Sequence, residues 1–199
     1  MFNRRNLTNF NLVQMHIGEI DDNLNYVNDK ILPNLIQVEK NWQPIETLPG
    51  ECVYSYRPFK IVNVFTGKFR DVQNNVPIDF RGSSQIVKYK ENNLGIVHIR
   101  NEAFEYLSYL ILFDKDMKIL KISDPFSFFG ANVEFIAHAE YDKELKILVS
   151  VHDQIIYEFH DEIEALSAGQ ETYGITAINI CIQTILNFIT RLPEEDLIA

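Results

Sequence analysis

Arg81, within Phe80-Arg81-Gly82-Ser83-Ser84-Gln85, carries the most readily named chemistry in this 199-residue chain. A planar guanidinium beside a glycine turn suits two-pronged contact with an oxyanion or with vicinal hydroxyls. An exposed turn arginine would have the same sequence. A second group is Glu39-Lys40-Asn41-Trp42, where an indole offers an apolar face to a pyranose ring and its charged neighbours offer hydrogen bonds to hydroxyls. Trp42 as a core anchor beside a Glu39–Lys40 surface pair is the alternative, and the residues leave both open. Arg57, in Tyr54-Ser55-Tyr56-Arg57-Pro58, is either a ligand contact or a solvent-facing strand arginine. His98, in Gly95-Ile96-Val97-His98-Ile99-Arg100, falls by strand alternation on the face opposite Val97, and a lone strand histidine is more often structural.

Other chemistries find little footing. The 8 glycines are spread singly and form no phosphate-cradling or dinucleotide loop. Histidines 16, 98, 138, 152 and 160 lack a tight metal-ligand spacing, and no Gly-x-Ser-x-Gly elbow or Cys/His pairing occurs. No cofactor and no metal are therefore expected. A formal net charge of −10 argues against non-specific nucleic-acid binding and against docking on an anionic membrane. The two cysteines, Cys52 and Cys181, are most simply read as reduced thiols. The N-terminus shows no apolar secretory run, so a cytoplasmic location is expected, or a virion if the heavy use of Asn and Ile reflects a viral genome.

The elements that must hold these residues read as β-strands. At 46% hydrophobic and 23% charged, the chain is that of a globular domain. Apolar runs bearing β-branched and aromatic residues alternate with Asp, Asn or Gly turns, the pattern of antiparallel hairpins. One hairpin is expected from Val13 to Leu32, turning at Asp21-Asp22-Asn23. Others are expected to turn at Thr66-Gly67, Glu91-Asn92-Asn93, Asp114-Lys115-Asp116 and Asp142-Lys143-Glu144. The stretches around Asp21 and Asp114 are weakly alike, and turns at 21, 66 and 114 recur at about 45 residues, within the range of a propeller blade. A β-meander or sandwich fits that pattern equally well. Residues 1–160 are read as one all-β domain. Residues 161–199 are read as a tail with a helix over about 174–191, where Ile175, Ile178, Ile182, Ile185 and Ile189 keep helical spacing and Pro193 ends the run.

Four signatures in fixed order, Glu39-Lys40-Asn41-Trp42, Phe80 to Gln85, Ser123-Asp124-Pro125-Phe126 and Glu134-Phe135, resemble the five-bladed β-propellers related to glycoside hydrolase family 130. Those are the mannosyl phosphorylases and mannosidases, together with similar domains attached to glycosyltransferases. The resemblance covers roughly Gln37 to His160. It implies a partial β-propeller of about three to four blades. It also implies that Glu39, Lys40, Asn41, Trp42, Arg57, Arg81, His98, Glu134 and Asp153 surround a sugar site, with Glu134 either bonding ligand or bracing Arg81. An oligosaccharide is the implied ligand.

The departures bear on catalysis. Ser108 and Tyr109 stand where phosphate-using members have His and Arg. His138 replaces a glycine after the Glu-Phe pair, and no early blade supplies the Asp that serves the family as general acid. Without a proton donor for the glycosidic oxygen the acid step has no agent. The expected function is thus non-catalytic carbohydrate binding or scaffolding, and no catalytic residue is assigned. An active mannoside hydrolase or phosphorylase, and a structural or virion assembly protein, are the two alternatives. An open propeller arc would expose strand edges, which favours a homo-oligomer, most simply a dimer.

Overall fold

The computed structural model describes residues 2–5, 13–31, 41–101, 105–130, 133–142, 145–152 and 155–160. Glu39, Lys40, Asp153, Cys181, the tail 161–199 and the expected helix over about 174–191 lie outside them. The described chain is all-β and antiparallel, and no α-helix occurs among its residues.

Four sheets follow one another along the chain. The first comprises β1 (Phe2–Arg5), β2 (Val13–Ile20) and β3 (Tyr26–Ile31). The second is a meander of β4 (Gln43–Pro44), β5 (Glu51–Tyr56), β6 (Phe59–Asn63) and β7 (Phe69–Asp71). In the third, β8 (Arg81–Gly82) and β9 (Val87–Tyr89) both pair with β10 (Asn92–Arg100), followed by β11 (Tyr106–Phe113) and β12 (Ile119–Ile122). The fourth holds β13 (Glu134–Tyr141), β14 (Leu145–Val151) and β15 (Ile155–His160). Strand pairing closes no barrel among the described residues. No described helix is long and apolar enough to cross a membrane.

The sheets stack face against face in chain order. One apolar layer joins Cys52, Val62 and Val64 of the second sheet with Trp42, and Ile17 of the first sheet packs on it. A second layer joins Val53, Phe59 and Ile61 to Val97, Ile111 and Phe113 of the third sheet. The third layer joins Leu94, Ile96, Leu110 and Leu112 to Ile136, Ile147 and Val149 of the fourth. The inner sheets therefore bury both faces, so their strands read as continuous apolar runs rather than clean alternation. Leu94 to His98 and Ser108 to Phe113 are buried without interruption for this reason.

The turns repeat one design. The Asp21 carboxylate accepts the backbone N–H groups of Asn23 and Asn25, at 2.9 and 2.8 Å. Asp114 does the same for Asp116 and Lys118, at 2.9 and 2.8 Å. In each turn the residue three positions after the aspartate, Leu24 or Met117, adopts a left-handed backbone at φ 63° or 67°. The similarity of the two stretches is thus a shared three-residue loop, a type I turn closed by a left-handed residue. The expected turn at Glu91-Asn92-Asn93 sits earlier, at Lys90-Glu91, with Lys90 at φ 52°. Asn92 and Asn93 are already strand. Asn93 is buried because its amide oxygen accepts the Thr47 hydroxyl at 2.6 Å while its nitrogen donates to the Asp114 carbonyl at 3.1 Å.

Candidate functional site

The site is built from the end of the third sheet where β8 meets β10. β8 is two residues long, with Arg81 opposite His98 and Gly82 opposite Val97. Gly82 is required here. A Cβ at that position would lie 2.5 Å from the Asn41 carbonyl oxygen and 2.9 Å from Gln43 Cβ, so any side chain would push the second sheet away. That approach is locked by Gln43, which is wholly buried. Its Nε2 donates to the Ile96 carbonyl at 2.7 Å, and its Oε1 accepts the Tyr56 hydroxyl. Burial pushes the Tyr56 hydroxyl far above its ordinary pKa, so it stays a donor. Both ends of the amide are satisfied, as a buried polar group requires.

Cross-strand partners share a face, so Arg81, His98 and Ser108 form one row across β8, β10 and β11. Phe126 extends it, exchanging two backbone hydrogen bonds with Ser108 at 2.8 and 2.9 Å. The row lies on the face that carries Leu94, Ile96 and Leu110 deeper in the same seam. The apolar layer between the third and fourth sheets thus ends in polar and aromatic groups. His98 is buried, its Nδ1 hydrogen-bonded to Ser83 Oγ at 2.9 Å. Its ring stacks on Tyr106 at 5.1 Å between centroids and meets Phe135 edge-on at 5.6 Å. Ser83, Tyr106 and Phe135 are half-buried, whereas Arg81 is exposed. Ser83, Tyr106 and Phe135 therefore contact the buried His98 imidazole, and Arg81 is its cross-strand partner on β8.

The residues expected at a sugar site divide accordingly. Arg81 and His98 stand together, whereas the Asn41 carbonyl abuts Gly82 on the opposite face of the third sheet. Asn41 is half-buried, with a left-handed backbone at φ 63°. Trp42 is instead a core anchor, 5% exposed between Cys52, Val62 and Val64, with its ring edge-on to Tyr54 at 5.3 Å. Arg57 is exposed in the turn between β5 and β6. Glu134 is 2% exposed, and its two carboxylate oxygens accept the backbone N–H groups of Phe128 and Phe129 at 2.7 and 2.8 Å. Its carboxylate pins the loop before β13, and no ion pair joins it to Arg81 among the described residues.

Sequence reasoning did not select Ser83, Tyr106 or Phe135, although each lies in or beside a stretch it quoted. The available signal was register. Tyr106 is the partner of Arg100, two residues beyond His98 on the same face. No group of three or more His, Cys, Asp or Glu able to hold a metal occurs among the described residues. Cys52 is a free, buried thiol whose burial pushes its pKa up to about 12, which leaves it unreactive as a nucleophile. No family model matches the chain, and no curated protein matches it.

Proposed function

We propose that this chain is a non-catalytic carbohydrate-binding protein built on a partial β-propeller, with Arg81, Ser83, His98, Tyr106 and Phe135 at the binding corner. The propeller reading is supported by four consecutive antiparallel sheets stacked in chain order. A parallel bridge from Ile45 to Ile86, joining the inner ends of the second and third sheets, supports it further, because neighbouring blades present their inner strands side by side. One observation carries the binding reading. Arg81, His98 and Ser108 form one row on one face of the third sheet, Phe126 pairs with Ser108, and the His98 ring meets those of Tyr106 and Phe135.

Aromatic faces pack on the C–H surface of a sugar while fixed donors choose its hydroxyls. The non-catalytic half follows from Glu134. Both its oxygens are held by backbone amides, so it is poorly placed to deliver a proton to a glycosidic oxygen. Binding to an immobilised glycan array, wild type against Arg81→Ala and Tyr106→Ala, tests the reading. Retained sugars that both substitutions release support it. An array that retains nothing refutes it.

A further inference from the structure

We propose that the opposite end of the third sheet holds a second site, one that takes a free α-amino acid with an apolar side chain. It lies away from Arg81 and does not depend on the carbohydrate reading. Three turns converge there: those between β4 and β5, between β9 and β10, and between β11 and β12. All three lie wholly within the described residues. They border a cavity of about 240 Å³ whose lining includes Thr47, Leu48, Lys88, Glu91, Asn93 and Lys115. That volume is below the range of about 300–1,000 Å³ usual for drug-sized ligands, and it suits a molecule of a few heavy atoms.

Asn93 ties the turns together and is only 2% exposed. Its amide oxygen accepts the Thr47 hydroxyl at 2.6 Å, and its nitrogen donates one N–H to the Asp114 carbonyl at 3.1 Å. A side-chain amide carries two such donors. The other has no acceptor among the described residues. A buried donor without an acceptor is costly, and a ligand oxygen in the cavity would satisfy it.

The charges on the same lining have both signs. Lys88 is the cross-strand partner of Asn93, so the two share the face turned toward Thr47. Neither Lys88, Lys115 nor Glu91 makes an ion pair or a side-chain hydrogen bond among the described residues. The neighbouring carboxylates are engaged. Glu46 accepts the Lys88 backbone N–H at 2.9 Å, and Asp114 accepts those of Asp116 and Lys118. A simple anion would face Glu91, and a simple cation would face two lysines. A zwitterion answers both: its carboxylate meets the lysines and the spare Asn93 donor, and its ammonium meets Glu91. Leu48 then offers the apolar contact for the side chain.

The test is a matched set titrated into the labelled full chain and followed by backbone amide NMR: L-leucine, N-acetyl-L-leucine without the ammonium, and L-leucinamide without the carboxylate. L-leucine should give saturable shifts at Thr47, Lys88 and Lys115. Each blocked form should bind at least about tenfold more weakly, the ratio one charge-assisted pair supplies. Glu91→Gln should erase the preference over the acetylated form, and the double variant Lys88→Gln, Lys115→Gln the preference over the amide. These three side chains are exposed, so both variants should keep the wild-type urea midpoint. Lys146→Gln, an equal charge change on the fourth sheet, should leave both preferences intact. No saturable shift at the three turns, a blocked form that binds as tightly as L-leucine, or a preference that survives in Glu91→Gln overturns the proposal and leaves the carbohydrate reading untouched.

Discussion

Glu134 separates a structural carboxylate from a ligand-binding one, and substitution decides between them. Its oxygens accept the Phe128 and Phe129 amides at 2.7 and 2.8 Å inside a side-chain environment only 2% exposed. A hydrogen bond to a charged group contributes about 1.5–3 kcal/mol, and a buried donor left without a partner costs about 1–3 kcal/mol. Glu134→Gln keeps one acceptor oxygen but turns an NH2 toward the second amide. The two terms together predict a loss of roughly 2–4 kcal/mol in unfolding free energy. Glu134→Ala strands both amides and opens a cavity, for a loss of about 3–5 kcal/mol.

Urea unfolding followed by tryptophan fluorescence reads this directly, because Trp42 is the only tryptophan and is buried. In a thermal melt each kcal/mol moves the midpoint by about 2–4 °C for a chain of this size. A Glu134→Gln protein with the wild-type urea midpoint would refute the reasoning. It would free the carboxylate for ligand and reopen the catalytic alternative.

Gly82→Ala sets a methyl 2.5 Å from a backbone oxygen, and it should destabilise the chain by about 1–3 kcal/mol in the same urea experiment. Wild-type stability there would mean that the second and third sheets do not meet as described. Leu24 and Met117 share a left-handed backbone but not an environment, since Leu24 is 84% exposed and Met117 is fully buried. Leu24→Gly should therefore gain about 0.5–1 kcal/mol by relieving the backbone, whereas Met117→Gly should lose about 1–4 kcal/mol by emptying the core. Equal signs in the two melts would contradict the shared-turn assignment. Cys52, its pKa raised from 9.0 to about 12, holds stability that is complete below pH 9 and lost as pH rises toward 12, because only the unfolded thiol ionises readily. Thiol labelling should reach Cys52 only at the rate of global unfolding; fast labelling of the native protein would show that the thiol is not sealed.

Much of the fold is legible because turns advertise themselves. Asp21 and Asp114 bond their own loops, so the aspartate and its spacing reveal each hairpin from local chemistry alone. Asn92 and Asn93 carry the same residue type but serve long-range ends. Asn93 reaches Thr47 across sheets, a partner 46 residues away that no local window contains. Trp42 was undecidable in sequence because an indole suits a core and a sugar face equally well; only the second sheet closing over it settles its burial.

Glu134 was ambiguous in sequence for a related reason. Its partners are main-chain amides, and these leave no trace in residue identity. Gln43 passed unnoticed although it ties the second sheet to the third. A single glutamine in a polar stretch carries no pattern until its neighbours are known. Arg81 and His98, singled out from the signature and the strand, stand as cross-strand partners on β8 and β10. Ser83, Tyr106 and Phe135 needed the register that sets them around the imidazole.

The most direct test of the account is to follow backbone amide resonances of the labelled chain by NMR while an oligosaccharide selected on the array is added, with the sugar's own anomeric signals recorded in the same tube. The account predicts shifts centred on residues 81–83, 98, 106–108 and 135, with no new reducing-end signal over a day. Shifts centred elsewhere would contradict the site, and a growing reducing-end signal would contradict the non-catalytic assignment.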